Sequence, residues 1–539
     1  MYRTFLSILR QPDRVTGATD ASLYRFEEDL SQPCPIEYDY RVENNTAKVT
    51  VYPSGSPVRY LKLRFRGDLR FVEAVCGDQW GRSTGGTNPI QWCSVMSHRQ
   101  LPWFCYLRSG AQIACYGVKT GPNCFAFWQV DTHGVTLFLN LMAGNRGADL
   151  KEPLVACEIV ERFSEEGESP YDAAAAFAKR MCTDPVLPKE PIFGVNNWYW
   201  AYGNITHDSV MTETDYLLEM TRDTAHSPYM IIDDGWQFNR TLTSPTYIGG
   251  PWYSSPHFGD ISETAAHIRE KGAKPGIWFR PLLTLGRIPQ EACLAHDSGG
   301  QVLDPTHPYT LQRIREDAAR IHTWGFQLLK HDFTSHDLLG LGHMSPEVNG
   351  VRLMADDRKL FDVSRPLAAV IKDLYRAVQE GMGSDPVIGC CTVGHLVAGI
   401  HAVQRVGGDT SGRSYEWTVR NGINAMMRLP QNDSFFRVDP DCAAFTAKVP
   451  AEINLDFLEM CALTGVTTLA SVTPGILTGE QLCRIQKIYQ LADRDATRYG
   501  IVNFEKTSLP EIFEEKGLCR EFNWSSVYDG SRSQLNWIE

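Results

Sequence analysis

At 539 residues the chain is too long for one hydrophobic core, so two or three domains are expected. The composition, 43% hydrophobic and 22% charged, is that of a folded globular protein. A net charge of −12 with no Lys/Arg-rich stretch excludes a nucleic acid or an anionic membrane as partner, since both demand a basic face.

The N-terminal MYRTFLSILRQPDRV is interrupted by Arg3, Arg10 and Arg14. It lacks the apolar segment and small-residue cleavage site of a secretory signal. No apolar run reaches the length of a membrane span. The 15 cysteines are scattered and never spaced C-x-x-C, so neither a zinc site nor a disulfide framework is favoured. Buried free thiols fit a reducing compartment, and a cytoplasmic location is the expectation.

From about residue 20 to 165, short alternating stretches (AKVTVYPSG, YLKLRFRG, ACYGVKTGPNCFAFWQV, GVTLFLNLMAG) are broken by turn residues. That rhythm predicts an antiparallel β-sandwich over residues 1–185. SPYDAAAAFAKRM reads as a helix, and the three prolines of TDPVLPKEP mark a boundary near residue 190. Strand-like runs then follow at IFGVNNWYW, YMIID, PGIWFRP, FQLLKHD, VIGCC, AVQRVGGD, FFRVD and TTLASV. Helix-like segments such as DYLLEMTRDT, LQRIREDAARIHTWG, LAAVIKDLYRAVQEG and AEINLDFLEMCALTG lie between most of them. Eight strands alternating with helices predict an α/β protein with a (β/α)₈ TIM barrel over 190–495. The link between strands five and six is too short for a clear helix. Residues 496–539 read as a short tail holding a few strands. A doubly wound sheet is the alternative, but no G-x-G-x-x-G follows the first strand.

Barrel enzymes carry their chemistry at the C-terminal ends of strands. Here those ends present Asn196, Asn197, Trp198 and Trp200; Asp233, Asp234 and Trp236; Arg280; Lys330 and Asp332; Arg405 and Asp409; and Asp439 and Asp441. Any single Asp at a strand end is more often a solvated cap. So many carboxylates converging with Arg, Lys and Trp on one rim point to a site. Period-two alternation turns Lys330 and Asp332 to one face and His331 to the other. Arg405 and Asp409 share a face if the strand stays regular through Gly407 and Gly408. The divergence of His331 and Asp332 makes the HD…HD cluster a poor metal site, and no metal or other cofactor is expected. No G-x-S-x-G supports a serine nucleophile. Two carboxylates across a sugar-sized cavity match glycoside hydrolysis. Lys330 would keep Asp332 ionised, and Asp409 in a partly apolar setting would keep a proton to donate.

NNWYW (196–200), DDGW (233–236), Lys330-His331-Asp332, Arg405-x-x-x-Asp409 and DPDC (439–442) resemble, in order and strand placement, the motifs of the α-galactosidase clan of retaining glycoside hydrolases. The sandwich before the barrel is similar too. The resemblance implies Asp332 as nucleophile and Asp409 as acid/base in hydrolysis of terminal α-D-galactosides. It also implies Asp233 and Asp234 on the 4- and 6-hydroxyls, Lys330 on the 3- or 4-hydroxyl, Arg405 on the 2-hydroxyl and Trp198 along the sugar face. Trp236, Arg280, Cys391 and Asp441 complete the expected sugar-binding set. Three features depart from that pattern. Arg280 stands where several relatives carry an acid, GCCTVG (389–394) matches their Cys-Ser-Gly-Gly segment only loosely, and GGDTSG also resembles α-glucosidase-type relatives. Specificity for α-N-acetylgalactosaminides, β-L-arabinopyranosides or α-glucosides therefore stays open, as does galactosyl transfer. A non-catalytic carbohydrate-binding protein and a metal-dependent barrel hydrolase are the competing classes. The expected partner is a carbohydrate, and homo-oligomerisation is left open.

Overall fold

The computed structural model describes residues 5–22, 33–82, 92–97, 99–238, 246–297, 299–341, 346–494, 499–505, 510–515 and 517–522. The first four residues of the N-terminal segment, and 496–498, 506–509, 516 and 523–539 of the expected tail, lie outside this set. Two antiparallel sheets form the N-terminal unit. One orders Arg14–Thr19, Val58–Arg66, Gly134–Asn140, Phe125–Asp131 and Leu101–Pro102; the other runs from Tyr38–Glu43 through Thr46–Val51, Leu154–Phe163, Gln112–Val118 and Phe104–Ser109 to Ala74–Gly77. Their inner faces bury side chains such as Leu61, Leu63, Phe65, Leu137 and Leu139 completely, which is the burial that the period-two pattern calls for. A helix over Pro170–Met181, capped by Ser169, leads out of this unit.

A parallel sheet follows: β1 (Phe193–Asn196), β2 (Tyr229–Ile232), β3 (Lys274–Phe279), β4 (Leu328–His331), β5 (Val387–Gly389), β6 (Val403–Arg405), β7 (Arg437–Asp439) and β8 (Thr468–Val472). Each of the eight expected runs contributes one of these strands. β7 breaks at Pro440 and Asp441 and resumes over Cys442–Phe445, which pairs with β8, and β8 pairs with β1. Thr467 N donates to Val438 O at 2.9 Å, so the ring closes through the broken strand. The fold is a (β/α)₈ barrel preceded by an antiparallel sandwich.

Barrel helices span His207–Met220 (α1), Ile261–Lys271 (α2), Pro308–Thr323 (α3), Leu367–Met382 (α4), Glu416–Met427 (α5), Ala451–Thr464 (α6) and Gly479–Ala492 (α7). Their ends follow local chemistry. Thr206 and Thr478 make capping boxes, and Asp260 accepts from Ser262 N at the start of α2. Between β5 and β6 there is only one helical turn, Gly394–Val397. After β8, Gly500–Ile501, Ile512–Glu515 and Leu518–Glu521 form a small antiparallel sheet. Phe504 beside it accepts a hydrogen bond from Trp92 Nε1 at 2.9 Å, which ties this segment to the sandwich. Among the described residues no helix is long and apolar enough to cross a membrane.

Candidate active site

The C-terminal strand ends converge. Asp332 follows β4 directly, and both its oxygens are held: Oδ1 accepts from Phe333 N at 2.8 Å, Oδ2 from Trp278 Nε1 at 3.0 Å. Burial on its own would raise this carboxyl. The charges of Lys330 and Arg82, with hydrogen bonds from Cys391 and Trp278, outweigh it and hold the group well below the usual carboxylate range. His331 points the other way, its Nδ1 3.2 Å from His401 Nε2 and its ring edge-on to Tyr375. The alternation expected of β4 is present.

Lys330 shares the inner face with Asp332, but its direct ion-pair partner is Asp233, with Nζ 2.7 Å from Oδ2. Burial opposes its charge, and the Asp233 carboxylate more than compensates, so its pKa is raised. Asn196 Nδ2 donates to the same Asp233 oxygen at 2.6 Å, and Asn197 Oδ1 accepts from Asp233 N. Asp234 accepts from Gln237 Nε2 and Tyr247 N, each at 2.6 Å. Burial, reinforced by neighbouring Asp233, pushes Asp234 up to about 7. Trp198, Tyr247 and Phe333 meet edge to face in sequence, 5.7 and 5.8 Å between centroids, and make an aromatic wall beside these carboxylates.

Across the mouth, β6 ends at Arg405 and the chain leaves regular strand geometry through Gly407 and Gly408. A Cβ at Gly407 would lie 1.4 Å from Asn421 Oδ1, so only glycine fits this bend. Arg405 still reaches Asp409 Oδ1, at 3.4 Å, and also binds Asp439 Oδ2 at 3.2 Å and Asp441 Oδ1 at 2.7 Å. Asp409 is not in the partly apolar setting expected for it. Its side chain is 53% exposed, and Arg82 Nη1 from the sandwich binds it at 2.6 Å. The glycine bend carries Asp409 past the strand end into solvent, where that guanidinium reaches it.

Three other expected sugar-binding residues have different roles. Trp236 is core: it is fully buried, donates to Trp278 O at 2.9 Å and packs on Trp252 and Trp324. Gly235, at φ 116°, turns the chain so that the next side chain goes inward. Arg280 is bound through Nε and Nη2 to Asp337 and through Nη1 to Tyr247 O, so it latches the aromatic wall. Asp441 is buried beneath the rim, accepting from Arg405, Thr410 N and the Tyr199 hydroxyl. The Cys391 thiol is hydrogen-bonded to Asp332.

Ligand atoms of Asp332, Cys390 and Cys391 lie within 4.8 Å of one another, as do those of Asp297, His336 and Asp337. Arg82 Nη1 sits 3.3 Å from Cys390 Sγ, a resident cation that repels a metal ion, and Asp337 is already neutralised by Arg280. A cavity of about 680 Å³ opens at the opposite end of the barrel among Glu190, Tyr229, Lys274 and Asp385. That end of such barrels serves stability rather than chemistry.

No family model matches the chain, and no curated protein sequence does. Solved structures match over most of its length. The α-galactosidase of Thermus thermophilus bound to p-nitrophenyl α-D-galactopyranoside superposes with a TM-score of 0.61 at 16% identity, over 90% of this chain and 96% of that one. The GH36 α-galactosidase AgaA of Geobacillus stearothermophilus matches at 0.56 and 13% identity, over 85% of this chain and 67% of its own. The α-galactosidase from Lactobacillus brevis matches at 0.56 and 11% identity, over 85% of this chain and 65% of its own. The chain has the fold of the GH36 α-galactosidases.

Within this α-galactosidase fold, several site residues escaped sequence reasoning. Trp278 precedes the end of β3 by one residue, and Gln237 and Tyr247 lie in the loop after β2. Only the inward phase of β3 signalled Trp278. Arg82 carries no signal at all in the chain, since it stands in the sandwich, 327 positions from Asp409.

Proposed function

We propose that the protein is a retaining α-glycosidase that hydrolyses terminal α-D-galactosides by double displacement. The observation that carries this reading is the pair of unlike carboxylates beyond the ends of β4 and β6, with Arg82 near both: Asp332, buried and held ionised, and Asp409, half-exposed. Asp332 attacks the anomeric carbon as its bond to the leaving oxygen breaks, and Asp409 gives that oxygen its proton. Water then enters. Asp409 takes a proton from it, the resulting oxygen attacks the anomeric carbon, and the Asp332 ester is cleaved.

Sugar recognition is assigned to Asp233, Asp234, Lys330 and Trp198. Asp233 and Asp234 follow one another past the end of β2, and each carboxylate keeps lone-pair capacity to accept a sugar hydroxyl. The 4-epimer would forgo that hydroxyl's hydrogen bond to a charged acceptor, about 1.5–3 kcal/mol. Galactoside complexes of neighbours with this fold, such as the Thermus enzyme with stachyose, favour the same substrate class. The test is a panel of nitrophenyl α-glycosides. A galacto preference that collapses in Asp233→Asn or Asp234→Asn supports the assignment. Equal or better turnover of the gluco substrate by the unaltered protein removes it.

A further inference from the structure

We propose that Arg82, supplied by the N-terminal sandwich, is a positioning residue for Asp409: it anchors one carboxylate oxygen so that the other presents the proton to the leaving group. This inference rests on the acid/base reading of Asp409. Arg82 Nη1 donates to Asp409 Oδ1 at 2.6 Å, and Arg405 Nη1 approaches the same oxygen at 3.4 Å. Among the described residues, no protein donor meets Oδ2. Oδ1 is taken up by two guanidinium groups, so Oδ2 is the oxygen left to exchange a proton with the leaving group. Asp409 is 53% exposed and lies beyond the end of β6, so without such an anchor its carboxyl would rotate freely.

Arg82 is suited to that task because it is itself immobilised. Its side chain is 8% exposed, and its second contact is Cys390 Sγ at 3.3 Å. Its own backbone is clamped by the barrel. Arg428, following α5, donates through Nε to Asp78 Oδ1 at 2.7 Å, through Nη2 to Gly81 O at 3.0 Å and through Nη1 to Arg82 O at 2.9 Å. Gln431 Nε2 holds the other Asp78 oxygen at 3.0 Å, and Asn424 Nδ2 also reaches Arg82 O. Arg428 Nη1 further donates to Val406 O at 2.8 Å, three residues before Asp409. One buried guanidinium thus locks the sandwich loop and the segment carrying the acid into a single unit. The Asp78–Arg428 pair is 6% and 4% exposed, too buried for solvent to loosen. The sandwich is therefore part of the catalytic apparatus, not only a neighbour to it.

The test compares Arg82→Met, Arg82→Lys, Asp409→Ala and the Arg82→Met/Asp409→Ala double variant on α-galactosides whose leaving groups range from dinitrophenol to methanol. Loss of a charged hydrogen bond to the acid predicts a roughly ten- to hundredfold fall in kcat for Arg82→Met on poor leaving groups. The dinitrophenyl substrate, which needs little protonation, should fall less than about threefold. Added guanidinium ion should restore part of the lost rate, Arg82→Lys should retain part of it, and in the Asp409→Ala background Arg82→Met should add no further loss. Asp78→Asn, which loosens the clamp but keeps Arg82, should give the same leaving-group signature at smaller size even if Arg82→Met folds poorly. Equal losses across all leaving groups, a change in KM alone, or a full additional loss in the double variant overturns the positioning role. An Asp409→Ala variant with no leaving-group dependence instead overturns the acid reading itself, and Arg82's role with it.

Discussion

Trp278, on β3, donates its indole proton to the Oδ2 of Asp332 at 3.0 Å, while its own carbonyl accepts from Trp236. The parallel register places Trp278 opposite Lys330, so β3 and β4 deliver the indole, the ammonium and the carboxylate to one face. With Phe333 N on the other oxygen, the Asp332 carboxylate is fixed in direction before any sugar arrives. Trp278→Phe keeps an aromatic ring but removes the donor. A hydrogen bond to a charged group is worth about 1.5–3 kcal/mol, so kcat should fall roughly ten- to hundredfold with KM little changed. Steady-state kinetics check this, and an unchanged kcat contradicts it.

The proposed role of Asp234 in sugar binding predicts a dependence on pH. Burial raises its carboxyl to about 7, so it is largely protonated below that value and a charged acceptor above it. A charged acceptor binds a hydroxyl more strongly. KM for nitrophenyl α-galactoside should therefore decrease as pH rises from 6 to 8, and Asp234→Asn should flatten that dependence. A KM that rises across this window would count against the assignment.

Acid lability has a separate source. Burial pushes His331 down to about 3 and His395 down to about 4. Both rings are neutral in the folded chain, whereas unfolded histidine takes a proton below about 6.5. The unfolded state thus binds more protons between about 6.5 and 4, so stability falls as pH falls. The slope is about 1.4 kcal/mol per pH unit for each ring. His395 stacks on Trp103 at 4.8 Å and donates to Val118 O at 2.7 Å, both in the sandwich, so its protonation strikes the contact between sandwich and barrel. Urea unfolding at pH 7, 6 and 5 should show this decline, and His395→Gln should show a shallower one.

Arg280 and Asp337 form a buried ion pair, 4% and 0% exposed, that also holds Tyr247 through its carbonyl. Asp337→Ala leaves an uncompensated buried guanidinium, at a cost of about 3–5 kcal/mol. It should also release the aromatic wall and raise KM. A loss below about 1 kcal/mol in urea unfolding would place the pair outside the load on the fold.

The strands and most of the helices were legible because their periodicities are local. Each of the eight apolar runs became a barrel strand, and the inward phase of Lys330 and Asp332 followed from alternation alone. The helix α2 had no such clarity, since only Ile261, Thr264, Ala265 and Ile268 are buried and its ends are set by Asp260 and Gly272. At the site, the position of each carboxylate was legible but its partners were not. Trp236 read as a sugar-facing aromatic because sequence does not show that Gly235 turns it inward. Arg280 read as a ligand-binding residue because its partner Asp337 is 57 positions away. Asp409 read as sheltered because the bend at Gly407 and Gly408 is dictated by Asn421, on a helix that comes later. Contacts between distant segments, above all that of Arg82 with Asp409, have no periodic trace.

Whether Asp332 is the nucleophile of a retaining α-glycosidase is decided by Asp332→Gly assayed with and without azide. Without azide the variant should lose nearly all turnover, because the covalent route is gone. With azide, an activated aryl α-galactoside should be consumed again and yield β-galactosyl azide, the inverted product, identified by its anomeric coupling in NMR. A variant that keeps a tenth of the activity unaided, or an azide product of retained configuration, would rule out Asp332 as the nucleophile.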